Sequence, residues 1–430
     1  LIAVPYTCAS DKKPLPAHPR TLARIIVKTA QDIADSFNLQ QLPAGFHDDP
    51  YPVYRALREH APIKAMPDGS YFLTRYDDLI AIYKNPKSFS SDKQREFKPK
   101  FGDSLLYEHH TTSLVFSDPP LHTRVRKLIS GALTPRAIAG MESSLTRLVD
   151  QLLDQLQAQP QPDLIEHFAS AIPVEVIGNL LDVPLQDRGP LRAWSLAILG
   201  ALEPVLSEQN LAAGNLAVRE FMDYLVDLIA HRRAHPGNPE TDVLTRLIQG
   251  ESDGEKLSMK ELLHNCIFLL NAGHETTTNL IGNGLVALHD ADEQRHRLLN
   301  EPELIKSAVE EILRYESSNQ LGNRITTEQV QLGDVVLPAQ TRITLCIGAA
   351  NRDPSQFAQP EQFDIARNPN RHLAFASGTH ACVGMSLARL EGQIAMGRFI
   401  SRYPRYRIEH PLRSPRVRFR GFLQLPVVLG

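Results

Sequence analysis

"FASGTHACVGMSLAR", residues 375–389, sets one cysteine, Cys382, among small residues at the point where a loop passes into a helix. After it, Val383, Leu387, Leu390, Ile394 and Phe399 recur at roughly three-to-four-residue spacing, which predicts an amphipathic helix over 383–402. The free N–H groups and the dipole at the start of such a helix favour an anion. A cysteine thiolate in that setting is either a nucleophile or a metal ligand. Gly384-Met385-Ser386-Leu387-Ala388 has the outline of a nucleophile elbow, but its last glycine is Ala388 and no strand precedes it.

A second stretch, "FLLNAGHETTTNLIGNG" at 268–284, breaks local rules inside a long apolar helical pattern. Gly273 in a helix interior costs about 1 kcal/mol relative to alanine. Thr276, Thr277 and Thr278 can bond back to carbonyls of the preceding turn and bend the helix. Glu275 adds a carboxylate to a greasy element. Departures of this kind cluster at functional sites, and they predict a kinked helix with a groove at Glu275 and Thr276. His274-Glu275 resembles the start of a zinc-protease H-E-x-x-H, but Thr278 occupies the second histidine position and removes a metal ligand.

The remainder of the 430 residues is mainly helical in pattern with a minor β part. Thr134 and Pro135 mark a helix start. Further helices are predicted near 163–182, 207–233, 257–289 and 303–316. Strand-like runs lie at 70–76, between 330 and 347, and in the C-terminal "FLQLPVVL". Residues 348–380 form a long irregular segment, and such segments usually carry function. A formal charge of −3 gives no reason to expect a nucleic-acid partner. Cys8, Cys266, Cys346 and Cys382 lack C-x-x-C spacing, which fits a reducing compartment. No run is long and apolar enough for a membrane helix, so the expectation is a cytoplasmic protein with no membrane association. Residues 1–35 read as an N-terminal extension and 36–430 as a single domain.

Together these stretches resemble a soluble bacterial-type cytochrome P-450, a haem-thiolate monooxygenase. The resemblance runs from about residue 48 to the C-terminus and rests on four motifs in the family's order: "DPPLHTRVRKLIS" at 118–130, "AGHETT" at 272–277, Glu311-x-x-Arg314, and Phe375-x-x-Gly378-x-His380-x-Cys382-x-Gly384. It implies the cytochrome P-450 fold, with haem b between a long kinked I helix and the cysteine loop that leads into the L helix. Cys382 would ligate the iron. Gly378 and Gly384 would let the backbone approach closely, and Phe375 would shield that face. His122, Arg126, Arg324 and His380 would pair with the haem propionates.

The resemblance further implies that Thr276 hydrogen-bonds the oxygen being activated, with Glu275 relaying protons to it. Glu311 and Arg314 would form a structural ion pair completed by Arg367 or Arg371. Ala376 departs from the family's usual glycine or small polar residue. One oxygen atom would enter a small or medium-sized apolar substrate, by hydroxylation or epoxidation. Electrons would come from NAD(P)H through a reductase and a separate ferredoxin or flavodoxin. The alternatives are a haem-thiolate peroxygenase or isomerase on the same fold, a non-catalytic haem sensor, or a thiol hydrolase using Cys382 and His380. Leu269, Ala272, Gly273 and Leu321 would line the substrate pocket, with segments 90–113 and 190–212. The basic run Lys93, Arg95, Lys98 and Lys100, and the pair His109-His110, read as solvated loop.

Overall fold

The computed structural model describes residues 29–239, 242–252 and 255–430. Residues 1–28 of the expected N-terminal extension, with Cys8, lie outside the described residues. The end of that extension, Ala30–Ser36, is a helix closed by a Thr29–Asp32 capping box and packed on the helix Tyr51–His60.

The helices around the site are, in chain order, α1 (Leu105–Thr112), α2 (Leu121–Ala132), α3 (Pro135–Gln157), α4 (Ala171–Leu180), α5 (Leu191–Gly200), α6 (Glu208–Ala234), α7 (Met259–Asp290), α8 (Ile305–Tyr315) and α9 (Met385–Arg402). α7 begins at Ser258, whose hydroxyl accepts from Glu261 N–H while the Glu261 carboxylate accepts from Ser258 N–H. α3 begins as expected, with Thr134 accepting from Ala137 N–H and proline at the first helical position. α9 starts two residues later than the periodicity predicts, because Gly384 takes the N-cap position.

α7 is buried almost throughout and packs against α1, α4, α5, α6, α8 and α9. An element surrounded in this way has little polar face left, which explains its apolar composition. Gly273 has a steric reason: a Cβ there would lie 2.7 Å from Ile177 Cδ1 on α4. Thr276 and Thr278 hydroxyls donate to the Ala272 and His274 carbonyls at 2.7 and 2.9 Å, the back-bonding read from the sequence.

Strands β1 (Ile63–Ala65), β2 (Tyr71–Leu73), β3 (Phe89–Ser90), β4 (Leu321–Thr326) and β5 (Arg342–Cys346) form one mixed sheet in the order β1-β2-β5-β4-β3. β2 pairs β5 in parallel, and the other pairings are antiparallel. The 330–337 run is a separate hairpin turned by Gly333 at φ 57°. The sheet carries two smaller apolar clusters; the largest cluster lies among the helices.

Two expectations fail here. Residues Gln94–Phe101 are a helix, and of the basic run Arg95 and Lys98 are exposed while Lys93 and Lys100 are held. Lys93 is buried against Glu96 at 2.7 Å, and Lys100 Nζ donates to the Glu203 carbonyl at 2.7 Å. Likewise His109 and His110 are not solvated loop: both sit on α1 and are 2% exposed. In each case long-range packing, invisible to local composition, buries the polar side chain.

Candidate haem-thiolate site

α7 and the loop before α9 are two walls of one cavity of about 330 Å³. Cys382, Thr276, Ala272, Gly273, Leu269 and Leu321 all border it. So do Phe375, Ala376, His380 and Gly384 from the loop, and His122, Arg126 and Arg324 from α2 and β4. Apart from Gly378 and Glu275, which do not line it, the residues expected at the haem and substrate site converge on one place from segments about 260 residues apart.

The loop geometry follows from a few contacts. Cys382 N–H donates to the Phe375 carbonyl at 2.9 Å, closing the turn. Gly378 has φ 70°, and a Cβ there would lie 2.2 Å from the Tyr83 carbonyl oxygen, so only glycine fits. Gly384 is different: a Cβ would meet no protein atom within 4 Å, and close packing of protein does not account for it. Phe375 is covered by the Arg389 guanidinium at 4.8 Å, itself held by Glu310. Burial pushes the Cys382 thiol up, while the Gly384 N–H and the charges of Arg126 and Arg389 pull it back. A thiolate at this position is stable only with a cation beside it, which is what an iron would supply.

Positively charged and imidazole side chains also border the cavity. The His122 and His380 rings lie with centroids 3.9 Å apart and planes tilted by 35°, and His122 Nε2 is buried without a partner among the described residues. Arg324 donates to the Asn323 carbonyl at 2.7 Å and lies over the Tyr83 ring; burial lowers it. Two guanidinium groups and two imidazoles at one edge of an apolar chamber make a place for two carboxylates. With the Cys382 thiol on the same cavity, this donor set fits a haem carrying two propionates.

Glu275 does not border the cavity. Its carboxylate is 5% exposed and held by Arg416 Nη1 at 2.6 Å to both oxygens, while Arg416 Nη2 donates to the Leu196 carbonyl. Burial raises Glu275 to about 7 even against the pull of Arg416. The carboxyl that does border it is Glu391 on α9, which sequence reasoning missed. It is 3% exposed, pushed up to about 8 by burial, and accepts a long hydrogen bond from Thr277 Oγ1 at 3.5 Å. A signal was present: Glu391 falls four residues after Leu387 and four before Ala395, on the buried stripe of α9.

Glu311 and Arg314 form a bidentate pair, 2.8 Å at both contacts and fully buried. Of the two arginines weighed for the third place, Arg367 takes it, donating to both Glu311 oxygens at 3.1 Å.

The family model described as "Cytochrome P450" matches residues 199–426. The chain is 38% identical over 377 residues to "Cytochrome P450 107B1" of Saccharopolyspora erythraea, spanning 84% of this chain and 89% of the relative. It is 37% identical over 393 residues to "Vitamin D(3) 25-hydroxylase" of Pseudonocardia autotrophica, spanning 90% and 95%. Among solved structures, P450BioI in complex with an acyl carrier protein ligated to hexadec-9Z-enoic acid superposes with a TM-score of 0.84 at 35% identity. That match covers 90% of this chain and 99% of the other.

Proposed function

The chain belongs to the cytochrome P450 family, and we propose that it hydroxylates or epoxidises a small or medium-sized, mainly apolar substrate, using a separate ferredoxin-type electron donor. Family membership makes it a haem b monooxygenase whose electrons come from NAD(P)H through a reductase system. The observation that carries the reading is the cavity itself: Cys382 on one wall, Thr276 on another, and apolar side chains between them.

Bound there, haem would supply the redox chemistry of dioxygen, and the Cys382 thiolate would hold its iron. His122, Arg126, Arg324 and His380 would neutralise the propionates. The chain's own part is then exclusion and proton control. Leu269, Leu321 and the neighbouring apolar residues keep bulk water away from the reacting centre. Thr276 donates its hydroxyl proton to the Ala272 carbonyl at 2.7 Å, so its lone pairs are what it offers the cavity. It becomes a donor into the cavity when that O–H rotates away from Ala272. Glu391, close to neutral pH in its protonation, holds a proton on the same chamber. Glu275 is instead paired with Arg416, which lines a separate pocket.

The test is spectroscopic. Reduced protein under carbon monoxide should show the red-shifted Soret band of thiolate ligation, and Cys382→Ser should lose it. A Cys382→Ser protein that keeps the band would exclude Cys382 as the ligand.

A further inference from the structure

We propose that His109, His110 and Asn271 form a polar recognition patch in the apolar cavity, reading one uncharged hydroxyl or carbonyl oxygen on an otherwise hydrocarbon substrate. The proposal rests on the reading of this cavity as the substrate chamber of a monooxygenase.

The patch is built from outside inward. Ser104 caps α1, its hydroxyl accepting from Tyr107 N–H, and Asn215 on α6 accepts from Leu106 N–H at 3.0 Å. On the outer side of α1, Glu108 is tied to the start of α7 by Lys260 at 2.7 Å and by His264 Nε2 at 2.9 Å. With Glu108 fixed there, the next two residues turn inward. His109 Nε2 meets the Asn271 amide of α7 at 3.4 Å. His110 packs among Phe97, Phe101 and Phe116, with ring centroids 5.3–5.7 Å away. All three polar residues border the cavity, and none is more than 3% exposed.

Among the described residues, three atoms in this cluster have no partner: His109 Nδ1, His110 Nε2 and Asn271 Oδ1. A buried polar atom left unpaired costs roughly 1–3 kcal/mol, so three on one wall call for an occupant. Hydrogen-bond arithmetic says what kind. A neutral imidazole has one donor and one acceptor, and a primary amide has both. The contact between His109 and Asn271 uses one donor and one acceptor whichever way the amide is turned. It therefore leaves the pair one acceptor and two donors, because the amide carries two N–H groups. A hydroxyl satisfies both kinds, and a carbonyl oxygen satisfies a donor. A carboxylate would meet an acceptor, and an ammonium would meet a donor. Burial keeps both imidazoles neutral, with Lys100 and Arg418 as the positive groups near His110, so the three patch residues themselves carry no charge to hold an anion. Arg418, on the same cavity, already has its guanidinium bonded to the Leu202 and Leu321 carbonyls and to Asn323 Oδ1.

The experiment uses the haem-loaded enzyme and 1-alkylimidazoles of six to twelve carbons, whose ring nitrogen ligates the iron from the cavity side. Each is compared with its ω-hydroxy and ω-carboxy counterparts by titrating the Soret shift. At the chain length that reaches the patch, the hydroxyl probe should bind up to about ten-fold tighter than the methyl probe, the scale of one or two hydrogen bonds. His109→Phe and Asn271→Leu should abolish that preference while leaving the methyl probe bound as before, and His109→Gln should restore part of it. Equal binding of methyl and hydroxyl probes at every length in the unmodified enzyme, as when water alone fills the patch, would overturn the proposal. So would a preference for the carboxylate. Absence of this preference in the unmodified enzyme, with the thiolate Soret band intact, sinks the patch alone; absence of that band sinks the site reading instead.

Discussion

Ala376 holds a left-handed backbone, φ 55°, in the loop that carries Cys382. This is the position where the motif comparison shows alanine in place of the usual glycine or small polar residue. For an L-residue that conformation costs about 1–2 kcal/mol, offset in part by glycine's larger loss of freedom on folding. The Ala376 methyl also packs beside the sheet's apolar cluster, which lowers the gain further. Ala376→Gly should therefore stabilise the protein by roughly 0.5–1 kcal/mol, measured as a higher denaturant midpoint at unchanged slope. A lower midpoint would mean that the methyl contact outweighs the backbone strain.

Among the elements, α8 and the irregular segment after β5 depend on each other. Glu311 accepts from Arg314, Arg367, Asn370 and the Asp364 N–H, all at 2.8–3.1 Å. Arg314 in turn donates to the carbonyls of Asn351, Pro360 and Gln362. One buried carboxylate thus organises a segment with almost no regular structure of its own, and that segment leads into the cysteine loop. Glu311→Ala leaves two buried guanidinium groups without their anion, a loss of about 3–5 kcal/mol. The expected outcome is low folded yield and haem-poor protein, checked by haem-to-protein ratio and denaturation midpoint. Full haem loading at native stability would show that the segment holds itself.

For the whole molecule, buried titratable groups predict a stability optimum near pH 6.5. His109, His110, His264 and His274 are lowered by burial, His110 and His274 to about 3. Below 6.5 the unfolded chain binds protons that the native state refuses, so stability falls as pH drops through that range. Glu275 and Glu391 act in the opposite sense, raised to about 7 and 8. Their native forms keep protons that the unfolded chain releases above about 4.5, so their contribution is lost as pH rises toward 8. Between 4.5 and 6.5 the histidines outnumber the carboxyls and stability climbs; from 6.5 to about 8 the two carboxyls dominate and it declines, and above that Lys100, lowered by burial to about 8, begins to act in the opposite sense. Denaturation midpoints from pH 5 to 8.5 check this, and Glu391→Gln should flatten the upper limb. A monotonic rise through pH 8 would contradict it.

Local pattern alone is enough for the helical character of the chain, the helix start at Thr134, the cysteine loop and the rule-breaking centre of α7. Those features are local: caps, periodicity and glycine placement act over a few residues. The sequence also supplied both candidates for the third member of the Glu311 network, because charge type is legible while reach is not. Tertiary structure decided the rest. Arg367 was chosen over Arg371 by the path of an irregular segment. Glu275 was drawn to Arg416, 141 residues away, and off the cavity. His109 and His110, polar residues that local composition assigns to solvent, were buried because Glu108 is anchored to α7. Which face of a helix is buried, and beside which partner, depends on contacts between distant segments, and no local pattern encodes them.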